Sequence, residues 1–332
     1  MKLLVCGGAG FIGSNFARQR VKELGDQVTV LDKLTYAGRE ENLADLRAEP
    51  GFGFVRAGIE EAEVVDAAVA AVDAVVNFAA ETHVDRSIAE PDAFVTTHAL
   101  GTWVLLEAAR DAGIRYVQIS TDEVYGSIDA GSFTETSPLE PSSPYSATKA
   151  GADLLVGSYF HTYGMETLIC RGSNNYGPYQ YPEKLIPLMV LNALHGDSLP
   201  VYGDGMNVRN WLFVEDFARG IGHVLAHGVP GEAYNVGGPD ELPNIDVVKG
   251  ILKHTGNDES LIEYVTDRPG HDRRYSLGSE KVRALGWEAR VHFDEGLQRT
   301  VAWYQERRDW WEPIRSGDYR AYYERQYGKT LG

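Results

Sequence analysis

The chain has 332 residues, 43% hydrophobic and 24% charged, a balance ordinary for a globular protein with room for one large domain or two modest ones. Its formal net charge of −17 argues against general nucleic-acid binding, which needs a basic surface, but leaves room for a small anionic ligand held by a few local cations. No apolar stretch reaches the roughly 18 residues needed to span a bilayer, so no membrane partner is expected. Met1 to Cys6 is apolar but runs straight into a glycine cluster without a cleavage site, so it reads as a buried strand rather than a signal peptide. A cytoplasmic location is the expectation.

In chain order the pattern predicts a strand over 2–6, a helix over 11–24 and a strand over 27–31. A weaker strand follows at 53–56, then a helix over 61–71 and a strand over 74–77. A long helix over 92–112 leads to a strand over 115–119, and a helix over 145–163 leads to a strand over 166–170. Apolar strands without polar alternation, separated by helices, indicate a parallel sheet covered on both faces, hence an α/β doubly wound fold. Beyond about residue 173 the pattern loosens. Gly177-Pro178, Tyr181-Pro182 and Gly203-Asp204-Gly205 mark loops. Helices are expected near 185–194, 245–255 and 294–307, and 233–236 reads as a late return to the sheet. The expected organisation is a dinucleotide-binding Rossmann domain of 1–172 plus about 211–238. A smaller C-terminal α/β substrate lobe of about 173–210 and 239–332 is interleaved with it.

Cys6 and Cys170 sit in apolar, strand-like runs and read as reduced packing residues. The nine histidines are read as lacking metal-ligand spacing, so no metal is expected. Trp211, Trp303, Trp310 and Trp311 read as packing residues.

Gly7-Gly8-Ala9-Gly10-Phe11-Ile12-Gly13 is a GxxGxxG run between a strand and a helix. Glycine is required where backbone approaches a pyrophosphate, and the helix start offers free N–H groups to that anion. Asp32 ends the next strand, where a carboxylate accepts from ribose hydroxyls and repels a 2′-phosphate, favouring NAD over NADP. Lys33 beside it could soften that preference. The bland alternative is a glycine turn in an unrelated α/β protein.

Tyr145-Ser146-Ala147-Thr148-Lys149 sets a phenol and an ammonium one helical turn apart on one face. The cation is expected to lower the tyrosine's pKa and make it a usable base. Alone, this spacing more often marks a surface i,i+4 pair on a helix; beside the glycine motif it points to catalysis.

The glycine motif plus YxxxK resembles the extended short-chain dehydrogenase/reductases. Within them, Ser120-Thr121-Asp122-Glu123-Val124-Tyr125-Gly126 resembles the dTDP-glucose 4,6-dehydratases. The resemblance continues through Ala79-Ala80-Glu81-Thr82-His83-Val84-Asp85-Arg86-Ser87 and Ser173-Asn174-Asn175-Tyr176-Gly177-Pro178-Tyr179-Gln180. It extends to Pro182-Glu183-Lys184-Leu185-Ile186-Pro187 and Asp267-Arg268-Pro269-Gly270-His271-Asp272-Arg273-Arg274-Tyr275, so it spans nearly the whole chain.

The resemblance implies that Tyr145 accepts the C4 hydroxyl proton, with Lys149 on the nicotinamide ribose. Glu123 takes the C5 proton, Asp122 protonates the departing C6 hydroxyl, and Thr121 orients the C4 oxygen. It implies a cofactor site of Gly7, Gly10, Phe11, Ile12, Gly13, Asp32, Lys33, Leu34, Thr35, Gly58, Ile59, Phe78, Ala79, Ala80, Thr82, Thr97, Tyr145, Lys149 and Asn174. For the dTDP-hexose it implies Thr82, Thr121, Asn174, Glu183, Lys184, Leu185, Tyr202, Arg209, Asn244, Arg268, His271 and Tyr275. Of these, Arg209 suits phosphate oxygens and Tyr202 suits stacking on the base.

Three departures stand out. Gly58 stands where the family has an aspartate reaching the adenine amine. His98 stands where it has an asparagine, and Gly172 where it has a larger residue.

A 4-epimerase or decarboxylase on this fold would keep NAD and YxxxK but has no use for Asp122-Glu123. A cofactor-sensing regulator commonly lacks the Tyr or the Lys, and both are present here. By resemblance, the helices over 92–112 and 145–163 pair across a two-fold axis into a homodimer with a four-helix interface.

Overall fold

The computed structural model describes residues 1–267 and 272–316. It begins with β1 (Lys2–Cys6), α1 (Phe11–Arg18), β2 (Gln27–Asp32), β3 (Phe52–Arg56), α2 (Ala62–Val69) and β4 (Ala74–Asn77). Next come α3 (Val84–Ala89), α4 (Pro91–Val95), α5 (Thr102–Ala112), β5 (Arg115–Thr121), α6 (Pro144–Tyr163) and β6 (Thr167–Gly172). The rest comprises β7 (Asn174–Tyr176), α7 (Leu185–His195), β8 (Leu199–Tyr202), β9 (Val208–Phe213), α8 (Val214–His227), β10 (Ala233–Val236), β11 (Asp240–Pro243), α9 (Asn244–Thr255), β12 (Ile262–Val265), α10 (Glu280–Ala284), α11 (Phe293–Glu306) and α12 (Arg308–Ser316).

Seven strands form one sheet in the order β10-β6-β5-β4-β1-β2-β3, every pair parallel. The α/β doubly wound architecture is therefore as expected. β4 and β6 are buried along their whole length, whereas the edge strand β3 is only half-buried, which is why its apolar run is the weakest of the set. Strand order reverses between β1 and β4, and ligand crevices in such sheets open at that point, outside the carboxyl ends of the strands.

The late strand lands as expected, with Ala233 paired to Ile169 on β6. Two smaller sheets complete the chain, β11-β9-β7 and β12-β8, above an apolar cluster that includes Trp211, Trp310 and Trp311. Trp303 is partly buried against the same cluster.

The expected single helix over 92–112 is instead α4, a π-helical stretch Thr96–Gly101 and α5. Such widened turns recur at functional sites, and this one carries Thr97 and His98. α8 has no counterpart in the expected elements, although Phe217, Ile221, Val224 and Leu225 lie at helical spacing and are buried against β6 and β10.

Candidate active site

Gly7 has φ +70, and a Cβ there would lie 2.5 Å from the Ala79 backbone nitrogen at the end of β4. At Gly13 it would lie 2.5 Å from the Gly7 carbonyl oxygen. These two glycines press the turn between strand and helix. At Gly10 a Cβ would meet only that carbonyl, at 3.3 Å, with its other side open to the cleft. α1 then begins at Phe11 without a side-chain cap, leaving its first N–H groups for a ligand.

Asp32 is buried at the end of β2. Its Oδ2 accepts the Ala9 N–H at 2.9 Å and its Oδ1 the Leu34 N–H at 2.8 Å. Burial raises its pKa, against those two bonds. Lys33 Nζ donates to Thr97 Oγ1 at 3.2 Å and lies 3.5 Å from Glu81 and 3.8 Å from Glu60. Two carboxylates thus counter the cation that would otherwise favour a 2′-phosphate.

β5 ends at Thr121, whose Oγ1 accepts the Glu123 N–H at 3.3 Å and so starts the 3₁₀ turn Asp122–Tyr125. The same hydroxyl donates to Asp122 Oδ1 at 3.2 Å. Asp122 is 2% exposed and its Oδ2 has no partner. Burial first, then the Glu123 charge, pushes its carboxyl up to about 7, with Thr121 and Arg209 opposing.

α6 starts from a capping box in which Ser143 and Ser146 exchange bonds, with Pro144 in its first turn. That start delivers Tyr145 to the cleft and Lys149 one turn deeper. Burial and the Glu123 charge hold the Tyr145 phenol above its ordinary pKa, opposed by a hydrogen bond to Thr121. This corrects the expectation that the lysine lowers it. Lys149 Nζ donates instead to the Ile119 carbonyl at 2.6 Å, and burial draws its pKa down to about 8. His98 Nδ1 lies 2.8 Å from Thr148 Oγ1, and its ring stands edge-on to Tyr145 at 5.9 Å. Burial, aided by the nearby Lys149 charge, lowers the His98 pKa, so the ring is neutral at pH 7.

Behind these groups Arg171 donates from Nε to Asp153 Oδ2 at 2.8 Å and from Nη1 to the Tyr125 hydroxyl at 2.7 Å. That hydroxyl donates to Asn235 Oδ1 at 2.8 Å. Tyr125, the tyrosine of the Ser120–Gly126 run, is thereby tied to β6 and β10.

One cleft is lined by Thr121, Asp122, Glu123, Tyr145 and Lys149, and by every expected cofactor residue except Leu34. Leu34 has φ 58, and its N–H is spent on Asp32. Thr82, Asn174, Glu183 and Lys184 line the same cleft. Glu183 Oε1 accepts from Tyr36 at 2.8 Å, Arg86 lies 3.8 Å from its Oε2, and Lys184 Nζ donates to the Thr82 carbonyl at 2.7 Å.

Leu185, Tyr202, Arg209, Asn244 and Tyr275 lie outside that lining. Leu185 begins α7 and packs on the smaller lobe's core, Tyr202 ends β8, and Asn244 begins α9 with its N–H on the Asn207 carbonyl. Buried Arg209 stacks over the Tyr275 ring at 4.5 Å and donates to the Asp272 carbonyl at 3.0 Å, while its charge still reaches Asp122. Arg268 and His271 fall outside the described residues.

Glu60, Glu81 and Gln180 also line the cleft and were not among the expected site residues. Glu81 and Gln180 lie inside motifs quoted for the resemblance, so their signal was local. Glu60 had none. At Gly172 the space a side chain would take is filled by Phe217, whose Cζ would be 2.5 Å from a Cβ. Cys6 and Cys170 are buried and unpaired. One histidine pair does have ligand spacing: His223 and His227 stand one turn apart on α8 with rings 6.1 Å apart. Among the described residues no group of three His, Cys, Asp or Glu side chains is placed to hold a metal.

A family model described as GDP-mannose 4,6 dehydratase matches residues 4–300. A dTDP-glucose 4,6-dehydratase of Streptomyces niveus is 51% identical over 96% of this chain and 97% of its own length. The low-salt glycan biosynthesis protein Agl12 of Haloferax volcanii is 53% identical over 92% of this chain and 98% of its own. The crystal structure of DesIV, a dTDP-glucose 4,6-dehydratase from Streptomyces venezuelae with NAD and TYD bound, superposes with a TM-score of 0.92 at 54% identity. It covers 95% of this chain and 100% of that one.

Proposed function

The chain belongs to the nucleotide-sugar 4,6-dehydratase family, among the dTDP-glucose 4,6-dehydratases, and on that premise we propose that it removes water across C5–C6 of dTDP-glucose to give the 4-keto-6-deoxy sugar. The cleft fits NAD: the glycine turn leaves room for a pyrophosphate only at Gly10, and a carboxylate stands at the end of β2. Bound NAD supplies a hydride acceptor for C4 and, later, the hydride donor for C6.

The chain's own residues handle the protons. Tyr145 takes the C4 hydroxyl proton as its phenolate, a form that the positive charges of Lys149 and of bound NAD favour against burial and Glu123, and Thr121, between Tyr145 and Asp122, orients the C4 oxygen. The resulting ketone acidifies C5–H, which Glu123 removes. Asp122 gives its proton to the C6 hydroxyl, which leaves as water. Lys149 holds the nicotinamide ribose. Glu183 and Lys184 take the substrate from the smaller lobe, and Arg209 is the cation suited to its diphosphate.

The observation that carries this reading is the buried, proton-holding carboxyl of Asp122 directly beside Glu123 at the end of β5. Asp122, buried and pushed up to about 7, keeps its proton near neutrality beside Glu123. A carboxyl that holds its proton next to a second carboxyl is what an elimination needs for its acid, with the neighbour left to act as base. The test is purified protein with NAD and a panel of dTDP-, UDP-, CDP- and GDP-hexoses read by mass spectrometry. The dTDP-glucose product should be lighter by one water. An unchanged mass with altered stereochemistry would mark an epimerase and overturn the reading.

We further propose that 1–172 with about 211–238 carries the cofactor, and about 173–210 with 239–332 the sugar nucleotide. Membership of β10 in the main sheet supports this division. A homodimer is proposed through the helices around α5 and α6. Val95, Leu100 and Trp103 on the first, and Leu154 on the second, expose 46–67% of their surface. These large apolar side chains fit a second copy packing four helices together. The two reduced cysteines support a cytoplasmic setting.

A further inference from the structure

Two segments are moored on the glycine turn and the helix it opens, one after β2 and one after β7. The first is fixed where the Arg39 N–H donates to the Ala9 carbonyl at 3.0 Å, a carbonyl that also accepts from Asn42 Nδ2 at 2.7 Å. The second is fixed where Asn15 Nδ2, in the second turn of α1, donates to the Pro178 carbonyl at 3.0 Å. Each segment carries one non-glycine residue with positive φ, Leu34 at 58 and Tyr179 at 69, and these are the two such residues among those described. Side-chain-bearing residues rarely adopt that conformation, and it persists where the surroundings impose it, often at functional sites.

The segments meet at Tyr36. Its hydroxyl donates to Glu183 Oε1 at 2.8 Å. The Arg86 guanidinium lies 3.8 Å from its ring centroid, and the Tyr181 ring stands edge-on to it at 5.3 Å. Burial, then the Glu183 charge, holds the phenol above its ordinary pKa, so it stays a donor across the working pH range. These contacts close a ring: from Ala9 along α1 to Asn15, across to Pro178, along the chain to Glu183, across to Tyr36, and through Arg39 back to Ala9. Gly10, Ile12, Ala37, Gly38, Tyr181 and Glu183 belong to that ring and line the cleft, so the cleft passes through it. Two of the three cross-links end on backbone carbonyls of the turn and the β7 loop. The third joins two side chains, one from each lobe, and is the link that can open by rotation of a side chain.

In doubly wound folds a dinucleotide's pyrophosphate sits at the start of the first helix. Here that place is inside the ring, with the adenosine on the Asp32 side and the nicotinamide riboside on the Lys149 side. Each nucleoside is wider than the phosphates between them. We propose that the dinucleotide is threaded through this ring and that Tyr36 retains it, the bond to Glu183 opening for the cofactor to enter or leave. Tyr36 acts through Glu183 and is a positioning residue, not a catalytic one. Retention suits a reaction in which the hydride taken from C4 has to be returned to C6 of the same sugar.

This rests on the NAD reading above, and the experiment separates the two. Full-length protein loaded with radiolabelled NAD is chased with excess unlabelled NAD, and the same is done with ADP, which has a nucleoside at one end of its diphosphate and can slip out of a closed ring. Tyr36→Phe keeps the ring contacts and removes the hydroxyl. It should release NAD about tenfold faster, the range of a hydrogen bond to a carboxylate, and bind it faster by a similar factor, so that Kd stays within about threefold. The rates for ADP should stay as in the wild type. Diluted without free NAD, the loaded wild type should keep forming product at a constant rate, whereas Tyr36→Phe should lose activity with time and regain it when NAD is added. Unchanged NAD release, faster release with unchanged entry, or equal acceleration of ADP and NAD overturns the threading while leaving NAD binding intact. A wild type that binds neither nucleotide overturns the NAD reading itself, and the threading with it.

Discussion

Lys149 reaches from α6 to the end of β5, where its ammonium donates to the Ile119 carbonyl at 2.6 Å, two residues before Thr121. The lysine thereby ties the helix that carries Tyr145 to the strand that carries the carboxylates. Burial draws its pKa down to about 8, so it is mostly charged at pH 7 and loses that charge as pH rises through 8. Lys149→Met should slow C4 oxidation by about 10²-fold and remove a pH-dependent limb near 8. Single-turnover formation of reduced nicotinamide checks both; a variant with wild-type rate and the same limb sinks the assignment.

Tyr145 and Glu123 are assigned to different steps, so their variants should fail differently. Glu123→Gln should still reduce the bound cofactor on mixing with dTDP-glucose but stall before water leaves, giving a persistent reduced-nicotinamide signal and no exchange of C5 hydrogen with solvent. Tyr145→Phe should give little reduced cofactor at all, with turnover lower by about 10²–10⁴-fold. If both variants stop at the same stage, the division of roles is wrong.

The glycine turn, YxxxK and the Ser120–Gly126 run were legible because each is contiguous, and the sheet supplies the rest of their geometry. The strands of the main sheet were legible because burial on both faces leaves them uniformly apolar. The smaller sheets were not. Val208–Phe213 mixes Arg209 and Asn210 with Trp211 and Leu212, and β8 pairs with β12 some sixty residues away, so neither shows a local period. Glu60 becomes part of the cleft only because β3 lies beside β2. The direction of the Tyr145 shift was misread for a related reason: spacing places the lysine on the same face but says nothing of burial or of Glu123.

Tyr125 and Arg171 form part of a closed buried network with Asp153 and Asn235. Tyr125→Phe removes one acceptor and one donor and should cost about 1–3 kcal/mol. Asp153→Asn strips the buried guanidinium of its counter-charge and should cost about 3–5 kcal/mol. Urea unfolding of the two variants tests the ranking; a costlier Tyr125→Phe would contradict it.

Trp103 is 47% exposed and Leu154 67% exposed, on neighbouring helices. Trp103→Glu combined with Leu154→Arg should convert a dimer to monomer in light scattering, with the far-ultraviolet spectrum unchanged. A wild type that is already monomeric at working concentration rules out the proposed interface.

Asp122 gives the sharpest pH prediction. Its carboxyl is raised from 3.8 to about 7 by burial and by Glu123, so the folded state holds a proton that the unfolded chain releases. Between those values the native state binds more protons, and stability falls as pH rises. The contribution is fully present below about 3.8 and is lost through 7, amounting to at most about 4 kcal/mol. Asp122→Asn carries no such proton. Its stability relative to the wild type should therefore increase from pH 4 to pH 7 and level off above. The same substitution leaves no acid for the C6 hydroxyl, so turnover should drop by about 10²–10⁴-fold even as the fold gains stability at pH 8. Paired measurements of denaturant midpoint and product formation across that range decide it: a variant that is both less stable at pH 8 and fully active would show that Asp122 neither holds the proton nor delivers it.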